Sequence, residues 1–321
     1  MQIAITGGSG FIGRKLIGAL HREGHVVKVL SRNPQITFPA GVRALAGDLT
    51  VEDCPLTELV KDCQIVFHCA GEMRDEAKMR LLHVTGTQRL LQAALNESER
   101  EGTTIHWIQL SSVGTYGPPS PRANRERVVT ENTPSKPCGE YETTKALADE
   151  LVLRASQHRS VTCTIVRPSI VFGASMPNSS LRALAAMIRR GFFFYIGRSG
   201  AIATYVHVDD VVESLVRCAV DPRARGEIFN VSNDCPLEEM IDKMAFALGV
   251  RPPSVRLPEF LVRAGVGLTA KFVSIPLTTS RIDALVGRTV YPCLKLKRLL
   301  GFAPSLPVPV SIGELLKKGI L

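Results

Sequence analysis

The sequence lacks an uninterrupted apolar run of the roughly 18 to 20 residues that a membrane-spanning helix needs. The nearest approach, 257–275, is broken by Glu259, Arg263 and Lys271. We expect this stretch to help cover a substrate pocket, with contact to a membrane surface as the less favoured alternative. No stable membrane insertion is therefore predicted.

Cysteine pairs with redox or metal-ligand spacing are also missing. The eight cysteines form no Cys-x-x-Cys pair, and no signal peptide precedes the first predicted strand. We therefore expect reduced thiols in a cytoplasmic protein. Histidines and carboxylates likewise show no ligand spacing, so no metal is predicted.

Long blocks of charge and low-complexity tracts are absent as well. A hydrophobic share of 45% and a charged share of 21% exclude a disordered or fibrous chain. The net charge of +9 favours anionic partners, such as phosphate-bearing small molecules. Because the basic residues are scattered and there is one Trp, nucleic acid is not an expected partner.

What the sequence does contain is a regular alternation of strand and helix patterns. The opening reads as a strand, a glycine turn, an amphipathic helix and a second strand, which is a βαβ unit. The predicted strands are 1–6, 26–30, 65–68, 105–110 and 162–166, and the predicted helices are 11–23, 77–95 and 142–157. This alternation predicts an α/β fold with a Rossmann-type, doubly wound parallel sheet.

The regularity weakens in the second half, where prolines interrupt the helical stretches. We expect residues 1–170 to form a dinucleotide-binding domain and 171–321 to form mainly a smaller, partly discontinuous substrate lobe. Strand-like runs at 205–208 and 228–231 indicate that the first domain also includes strands near 204–232.

Three glycines follow the first strand at regular spacing. Gly7, Gly10 and Gly13 let backbone amides approach a pyrophosphate at the positive end of a helix. A tight turn without a ligand is the alternative, but the βαβ setting favours a dinucleotide.

The end of the second strand carries Arg32 and no carboxylate to bind a ribose 2′-hydroxyl. Because a guanidinium can pair with a 2′-phosphate, NADP(H) is favoured over NAD(H) as the cofactor, unless Arg32 is a solvated loop residue. In Gly-Asp-Leu (47–49), Asp48 can accept from the adenine amino group and Leu49 can pack on the ring. A turn or cap role is the alternative for Asp48.

Tyr141 and Lys145 lie four residues apart, which places both side chains on one face of a helix. A tyrosine with a pKa of about 10 is a weak base at neutral pH, and a neighbouring ammonium stabilises its phenolate. For an isolated pair, an exposed Tyr and Lys is the alternative interpretation.

These motifs occur in a fixed order together with several others. The ordered segments are Thr-Gly-Gly-Ser-Gly-Phe-Ile-Gly (6–13), Gly-Asp-Leu (47–49), His-Cys-Ala-Gly (68–71), Ser-Ser-Val-Gly-Thr-Tyr-Gly (111–117), Tyr-x-x-x-Lys (141–145), Arg-Pro-Ser-Ile-Val-Phe-Gly (167–173), Tyr-Val-His-Val-Asp-Asp-Val (205–211), Phe-Asn-Val-Ser-Asn (229–233) and Leu-Gly-Phe-Ala-Pro (300–304). Together they resemble the extended short-chain dehydrogenase/reductases, and the later ones look like the nucleotide-sugar branch of the NAD-dependent epimerase/dehydratase family.

The resemblance implies hydride transfer between nicotinamide C4 and a substrate carbon, and a homodimer. The resemblance also implies that Ser112 hydrogen-bonds the reacting oxygen, Tyr141 is the acid/base, and Lys145 holds the nicotinamide ribose. Ser111 is the weaker candidate for the same hydrogen bond. Arg281 is a candidate for binding a substrate diphosphate, with an ordinary surface charge as the alternative. The cofactor-lining positions implied are Gly7, Gly10, Phe11, Ile12, Gly13, Ala70, Gly71, Pro168 and Ser169.

The sequence departs from the family pattern in two places. His83 stands where the family usually has an asparagine that supports the active-site helix. Val113 and Gly114 stand where sugar 4,6-dehydratases have an Asp-Glu pair, so dehydration is ranked low. The leading hypothesis is therefore 4-epimerisation or 4-ketoreduction of a nucleotide-diphosphate sugar.

Two other functions stay open. The run Phe192, Phe193, Phe194 and the apolar stretch 257–275 favour a ketoreductase or dehydrogenase for an apolar ketone, such as a hydroxysteroid or a flavonoid-like ketone. A non-catalytic dinucleotide sensor would keep the fold and lose the chemistry. The complete set of Ser112, Tyr141 and Lys145 argues against the sensor.

Overall fold

The computed structural model describes residues 1–33, 35–119, 126–158, 160–177, 179–269 and 278–320, with side chains described up to residue 266 in the helix that ends at residue 269. The strands are β1 (Gln2–Thr6), β2 (Val26–Ser31), β3 (Arg43–Ala46), β4 (Ile65–His68), β5 (Ile105–Leu110), β6 (Arg127–Val128), β7 (Val161–Pro168), β8 (Ile170–Phe172), β9 (Tyr195–Ile196), β10 (Ile202–Ala203), β11 (Tyr205–His207), β12 (Ile228–Val231), β13 (Cys235–Pro236), β14 (Arg256–Leu257) and β15 (Thr289–Val290).

The helices surround these strands and are longest in the first half of the chain. They are α1 (Phe11–Arg22), α2 (Leu56–Val60), α3 (Glu76–Arg80), α4 (Thr87–Glu101), α5 (Glu140–Ala155), α6 (Ser180–Arg189), α7 (Val208–Val220), α8 (Leu237–Ala247), α9 (Glu259–Thr269), α10 (Thr279–Val286), α11 (Leu294–Leu300) and α12 (Val308–Lys317), with a π-helix at Leu81–Gly86 and 3-10 helices at Val113–Tyr116 and Pro222–Ala224.

Seven strands form one parallel sheet in the order β12-β7-β5-β4-β1-β2-β3. Ile3 of β1 pairs with Val27 on one side and with Ile65 on the other. Chain order reverses between β1 and β4, which leaves a crevice for a ligand at the carboxyl ends of these strands. The predicted Rossmann-type sheet is confirmed.

Helices pack on both faces of the sheet through apolar side chains. In α1, Leu16, Ile17 and Leu20 recur at helical spacing and pack with α7 on one face. Gly24, with φ of +77°, directly follows the C-cap residue of this helix. Helices α2, α4 and α5 cover the opposite face through a second apolar cluster.

The predicted helix 77–95 is not continuous. The π-helix separates α3 from α4, and within it a Cβ at Gly86 would lie 3.1 Å from the Leu49 Cβ, so the backbone approaches that loop closely. Apolar periodicity does not reveal a single wider turn, which is why the sequence predicted one helix.

The C-terminal half adds a lobe around its own apolar core, formed mainly by α6, α8 and α12. Of the strands predicted near 204–232, β12 joins the central sheet beside β7. The other, β11, pairs with β8 in a separate two-stranded sheet. None of the described helices combines the length and the apolar character needed to cross a bilayer.

Candidate active site

The glycine turn leaves free backbone amides at the carboxyl end of β1. Gly10 is the N-cap residue of α1, and the first amide of the helix to donate is that of Arg14, to the Gly10 oxygen at 3.0 Å. No described residue accepts from the amides of Phe11, Ile12 and Gly13. A Cβ at Gly13 would overlap the Gly7 carbonyl oxygen and lie 2.8 Å from the Gly8 Cα. The turn therefore requires glycine, and its free amides fit a pyrophosphate.

The same turn lies against the loop after β4. Gly7 has φ of +71°, and a Cβ there would lie 2.5 Å from the Cys69 carbonyl carbon and 2.6 Å from the Ala70 nitrogen. The Ala70 amide donates to the Thr6 Oγ1 at 3.4 Å. Ala70 and the following Gly71 are thus brought together with Gly7 where the order of the strands reverses.

Residues predicted to contact the adenosine end lie after β2 and β3. Arg32 is exposed and lies close enough to Glu72 to act on its pKa, which is lowered first by backbone hydrogen bonds and less by Arg32. The Asp48 Oδ1 accepts from the Thr50 amide at 2.9 Å and from its hydroxyl at 2.8 Å, which is the turn role, while no described residue donates to its Oδ2. Leu49 is 3% exposed, which leaves little surface for an adenine ring.

The two serines after β5 have different hydrogen-bond partners. The Ser112 Oγ caps the following 3-10 helix by accepting from the Gly114 amide at 3.0 Å. Its own proton has no acceptor among the residues described, so it can donate to a substrate oxygen. The buried Ser111 hydroxyl instead donates to the Asp149 Oδ2 at 2.7 Å. Ser112 is therefore the better placed of the two for substrate contact.

Helix α5 holds Tyr141 and Lys145 one turn apart. The Lys145 Nζ donates to the Leu110 oxygen at 2.6 Å, which brings the ammonium to the carboxyl end of β5. Burial lowers the pKa of Lys145, partly offset by the charge of Asp149. Burial, then the charges of Glu142 and Asp149, raise the pKa of Tyr141 to about 12. With no cofactor present, Tyr141 is therefore a neutral phenol able to donate a proton.

His83 lies in the π-helix beside Tyr141. Its Nε2 accepts from the Glu72 amide at 2.8 Å, so its Nδ1 carries the proton and donates to the Thr144 Oγ1 at 2.8 Å. Burial, followed by the charge of Lys145, lowers the pKa of His83 to about 3. His83 thus links the Glu72 backbone to Thr144 of α5.

Sequence reasoning missed a buried ion pair beneath α5. Arg167 of β7 donates to the Asp149 Oδ2 through Nε at 3.1 Å and Nη2 at 2.9 Å. Asp149 follows Lys145 by four residues, so it continues the face that carries Tyr141 and Lys145. That spacing is the signal that could have identified Asp149, whereas its partner on β7 has no local signal.

The remaining predicted residues lie in two separate places. Pro168 ends β7, and the Ser169 amide donates to the Val231 oxygen at 3.0 Å. Both residues therefore lie at the carboxyl ends of the strands of the central sheet. Arg281 is exposed in the first turn of α10, which packs against β9 and β10 of the C-terminal lobe.

A carboxylate cluster unforeseen from the sequence contains Asp62, Glu97 and Glu101. Glu97 accepts from the Asp62 amide at 2.7 Å and from Arg100, and Arg100 also pairs with Glu101 at 2.9 Å. Arg100 thus pairs with two of the three carboxylates.

Known proteins similar to this chain indicate its family. A family model described as "NAD dependent epimerase/dehydratase family" matches residues 3–232. The chain is 26% identical over 300 residues to 4-hydroxy-2-methyl-3-oxo-4-farnesyl-3,4-dihydroquinoline-1-oxide ketoreductase of Stigmatella aurantiaca, covering 92% of this chain and 82% of that one. It is 25% identical over 332 residues to a decarboxylating sterol-4-alpha-carboxylate 3-dehydrogenase of Mus musculus, covering 97% and 89%.

Solved structures share the fold at lower identity. The UDP-glucuronic acid 4-epimerase of Bacillus cereus in complex with NAD superposes with a TM-score of 0.73 at 18% identity, covering 99% of each chain. The family match spans well over half of the sequence, and the fold and the turn of free amides agree with it. The chain therefore belongs to the NAD-dependent epimerase/dehydratase family and is an NAD-dependent oxidoreductase or epimerase.

Proposed function

We propose that this enzyme interconverts a ketone and a secondary alcohol, with Tyr141 as the acid/base. The observation that carries the proposal is that Tyr141 and Lys145 share a face of α5 directed to the end of β5, where Ser112 has a hydroxyl proton without an acceptor among the described residues. When bound, the nicotinamide supplies or accepts the hydride.

The protein residues then handle the proton and the oxygen. In the reductive direction, Ser112 donates a hydrogen bond to the carbonyl oxygen and polarises it, and Tyr141 gives its phenolic proton to that oxygen. The Lys145 ammonium, positioned by its hydrogen bond to Leu110, stabilises the resulting phenolate and has two further N–H groups for ribose hydroxyls.

The cofactor contacts proposed follow from the free donors and acceptors. The amides of Phe11, Ile12 and Gly13 bind the pyrophosphate, and the Asp48 Oδ2 accepts from the adenine amino group. Arg32, exposed at the end of β2, pairs with a 2′-phosphate, which favours NADP(H) over NAD(H).

The substrate class that we favour is a ketone or alcohol on a largely apolar molecule. The two curated relatives described above are named for a farnesylated quinoline oxide and a sterol carboxylate, and they align with almost all of this chain. The C-terminal lobe supports the same class, because Phe194, Ile196, Val262 and Ile282 form an apolar cluster there.

A nucleotide-diphosphate sugar is the second candidate, acted on by 4-epimerisation or 4-ketoreduction. The solved UDP-glucuronic acid 4-epimerase and the net charge of +9 favour it. A homodimer is proposed for either candidate on the family resemblance alone.

The first experiment identifies the dinucleotide released when freshly purified protein is denatured, by mass spectrometry. Stoichiometric NAD or NADH favours an epimerase, which regenerates its cofactor in each cycle. Protein without a dinucleotide that then binds NADPH favours a reductase.

The second experiment compares wild type with Tyr141→Phe, using NADPH deuterated at nicotinamide C4 with a steroid 3-ketone or with the 4-keto derivative of UDP-glucose. Tyr141→Phe is expected to keep the affinity for NADPH and lose deuterium transfer by about a hundredfold or more. An undiminished rate in Tyr141→Phe would overturn the assignment of the acid/base.

A further inference from the structure

The Glu142 carboxylate lies beside the catalytic residues without a partner. It belongs to the first turn of α5, directly after Tyr141. Within the described part of the chain, no side chain forms an ion pair with it and no group donates a hydrogen bond to it. Its negative charge is the second cause, after burial, of the raised pKa of Tyr141, so the two side chains are close. The oxygens of this half-buried carboxylate are free to accept a hydrogen bond from a ligand.

Two glycines create the space that this carboxylate occupies. A Cβ at Gly114 would lie 2.9 Å from the Glu142 Cγ and 3.6 Å from its Oε1. A Cβ at Gly139 would lie 2.7 Å from the Glu142 Oε2. A Cβ at either position would meet the Glu142 side chain, and at Gly139 the φ of +99° also favours glycine.

The same space adjoins the hydroxyl that is proposed to bind the reacting oxygen. The position of a Gly114 Cβ lies 3.3 Å from the Ser112 Oγ and 3.6 Å from the Glu142 Oε1. A substrate whose carbonyl oxygen accepts from Ser112 therefore presents its neighbouring carbon within reach of Glu142.

No capping hydrogen bond holds Glu142 in this position within the described residues. A glutamate at the third position of a helix often bonds back to the N-cap amide, and an acidic residue near a helix N-terminus is favourable. Here no hydrogen bond joins Glu142 to the Gly139 amide within the residues described. Glu140, in the same turn, does have a partner, since Arg80 pairs with it at 3.3 Å. Glu142 is thus the acidic residue of this turn that faces the catalytic groups.

We propose that Glu142 is a substrate-recognition residue that accepts a hydrogen bond from a hydroxyl or amino group on the carbon next to the reacting carbon. It also disfavours a carboxylate or phosphate in that place, because two anions would lie together without a cation. This inference rests on the proposed function, since it takes Ser112 as the residue that binds the reacting oxygen. It narrows the substrate class to apolar ketones with a neighbouring hydrogen-bond donor.

The test compares three ketones that share one apolar tail, each reduced with NADPH. 1-Hydroxy-2-octanone has a hydroxyl next to the carbonyl, 2-octanone has none, and 2-oxooctanoate has a carboxylate there. We expect wild type to favour the hydroxyketone over 2-octanone in kcat/KM by about ten- to a hundredfold, as one hydrogen bond to a charged group provides, and to reduce 2-oxooctanoate most slowly.

Three variants separate the charge, the hydrogen bond and the helix turn. Glu142→Ala is expected to bring the ratio of hydroxyketone to 2-octanone to about one. Glu142→Gln keeps an acceptor oxygen and loses the charge, so it retains part of that ratio and reduces 2-oxooctanoate about tenfold faster than wild type. The matched control Glu140→Gln leaves all three rates unchanged. Ratios that are the same in wild type and both Glu142 variants would overturn the inference.

A binding measurement separates this inference from the proposed reaction. Calorimetry with NADP-loaded protein measures the Kd of octane-1,2-diol and of 2-octanol. A preference for the diol that disappears in Glu142→Ala supports the role of Glu142, even if no ketone is reduced and the proposed reaction fails. Equal affinity of wild type for the two alcohols, or no binding of either, would overturn the role of Glu142 whatever the outcome for turnover.

Discussion

The rings of His83 and Tyr141 stand almost perpendicular, with centroids 5.7 Å apart and planes at 81°. The His83 ring also donates to Thr144 on the same helix as Tyr141. The π-helix and α5 are thus joined by a hydrogen bond and by a ring contact, and both depend on one histidine. The orientation of the proposed acid/base follows from this junction.

Replacing His83 by Phe keeps an aromatic ring and removes both hydrogen bonds. We expect the free energy of unfolding to fall by about 1 to 3 kcal/mol, because the Glu72 amide loses its acceptor. Thr144→Val removes one of the same bonds, so the double variant should lose less than the two single losses together. Urea unfolding measures all three. Fully additive losses would show that His83 and Thr144 do not act as a pair.

Acid should destabilise the fold because of two buried histidines. Burial is the main cause that lowers the pKa of His68 and of His83 to about 3. The unfolded chain takes up these protons near its ordinary pKa of about 6.5 while the native state does not, so stability is lost as the pH falls below that value. The loss reaches at most about 1.4 kcal/mol per pH unit for each histidine.

The check compares the free energy of unfolding at about pH 7.5 and about pH 5.5. His83→Asn should lose less stability over this interval than wild type does. His21→Asn is the matched control, because His21 is exposed on α1. An equal loss in wild type and His83→Asn would refute the assignment of this proton uptake to His83.

Substitution by alanine should change stability in opposite directions at two glycines of α1. Gly13→Ala introduces a Cβ that overlaps the Gly7 carbonyl oxygen, so we expect a loss of about 1 to 3 kcal/mol and a loss of dinucleotide affinity. In Gly18→Ala the new Cβ meets one atom, the Arg22 Nη1, at 3.7 Å. This control should gain about 0.5 to 1 kcal/mol in helix stability. Thermal unfolding with and without NADPH measures both effects, and equal behaviour of the two variants would contradict the close approach at Gly13.

Arg32 should determine the choice between the two dinucleotides. If its guanidinium pairs with a 2′-phosphate, Arg32→Ala raises the Kd for NADPH by about tenfold or more and leaves the Kd for NADH unchanged. Arg43→Ala is the control, because Arg43 pairs with Glu58 at the amino end of β3, away from the carboxyl ends of the strands. Fluorescence titration gives both constants. If Arg32→Ala keeps the NADPH affinity of wild type, Arg32 is a solvated loop residue that does not contact the dinucleotide.

Much of the sheet could be predicted because its strands are short apolar runs between turn residues. The structure has strands 65–68, 105–110 and 228–231 with the predicted bounds. The π-helix was missed because one wider turn hardly alters the apolar pattern. The separate sheet of β11 was missed because pairing partners far apart in the chain have no local signal.

The candidate site likewise contains features that the sequence could predict and features that it could not. Tyr141 and Lys145 were predictable because helix geometry alone brings them together. The preference for Ser112 over Ser111 came from the family resemblance, whereas the hydrogen bond of Ser111 to Asp149 could not be predicted from the sequence. The surroundings of Glu142 were equally hidden, since they depend on how the loop at Gly114 meets the first turn of α5.

The pairing of β12 with β7 determines where this protein can be divided. A recombinant fragment that ends at residue 170 contains the whole of β7 but exposes the backbone edge that β12 covers. Such an edge recruits strands from other molecules, so the fragment should aggregate on expression. The same edge stays open on the ribosome until Val231 has emerged, which makes the synthesis of residues 169–231 the interval when a nascent chain most needs a chaperone.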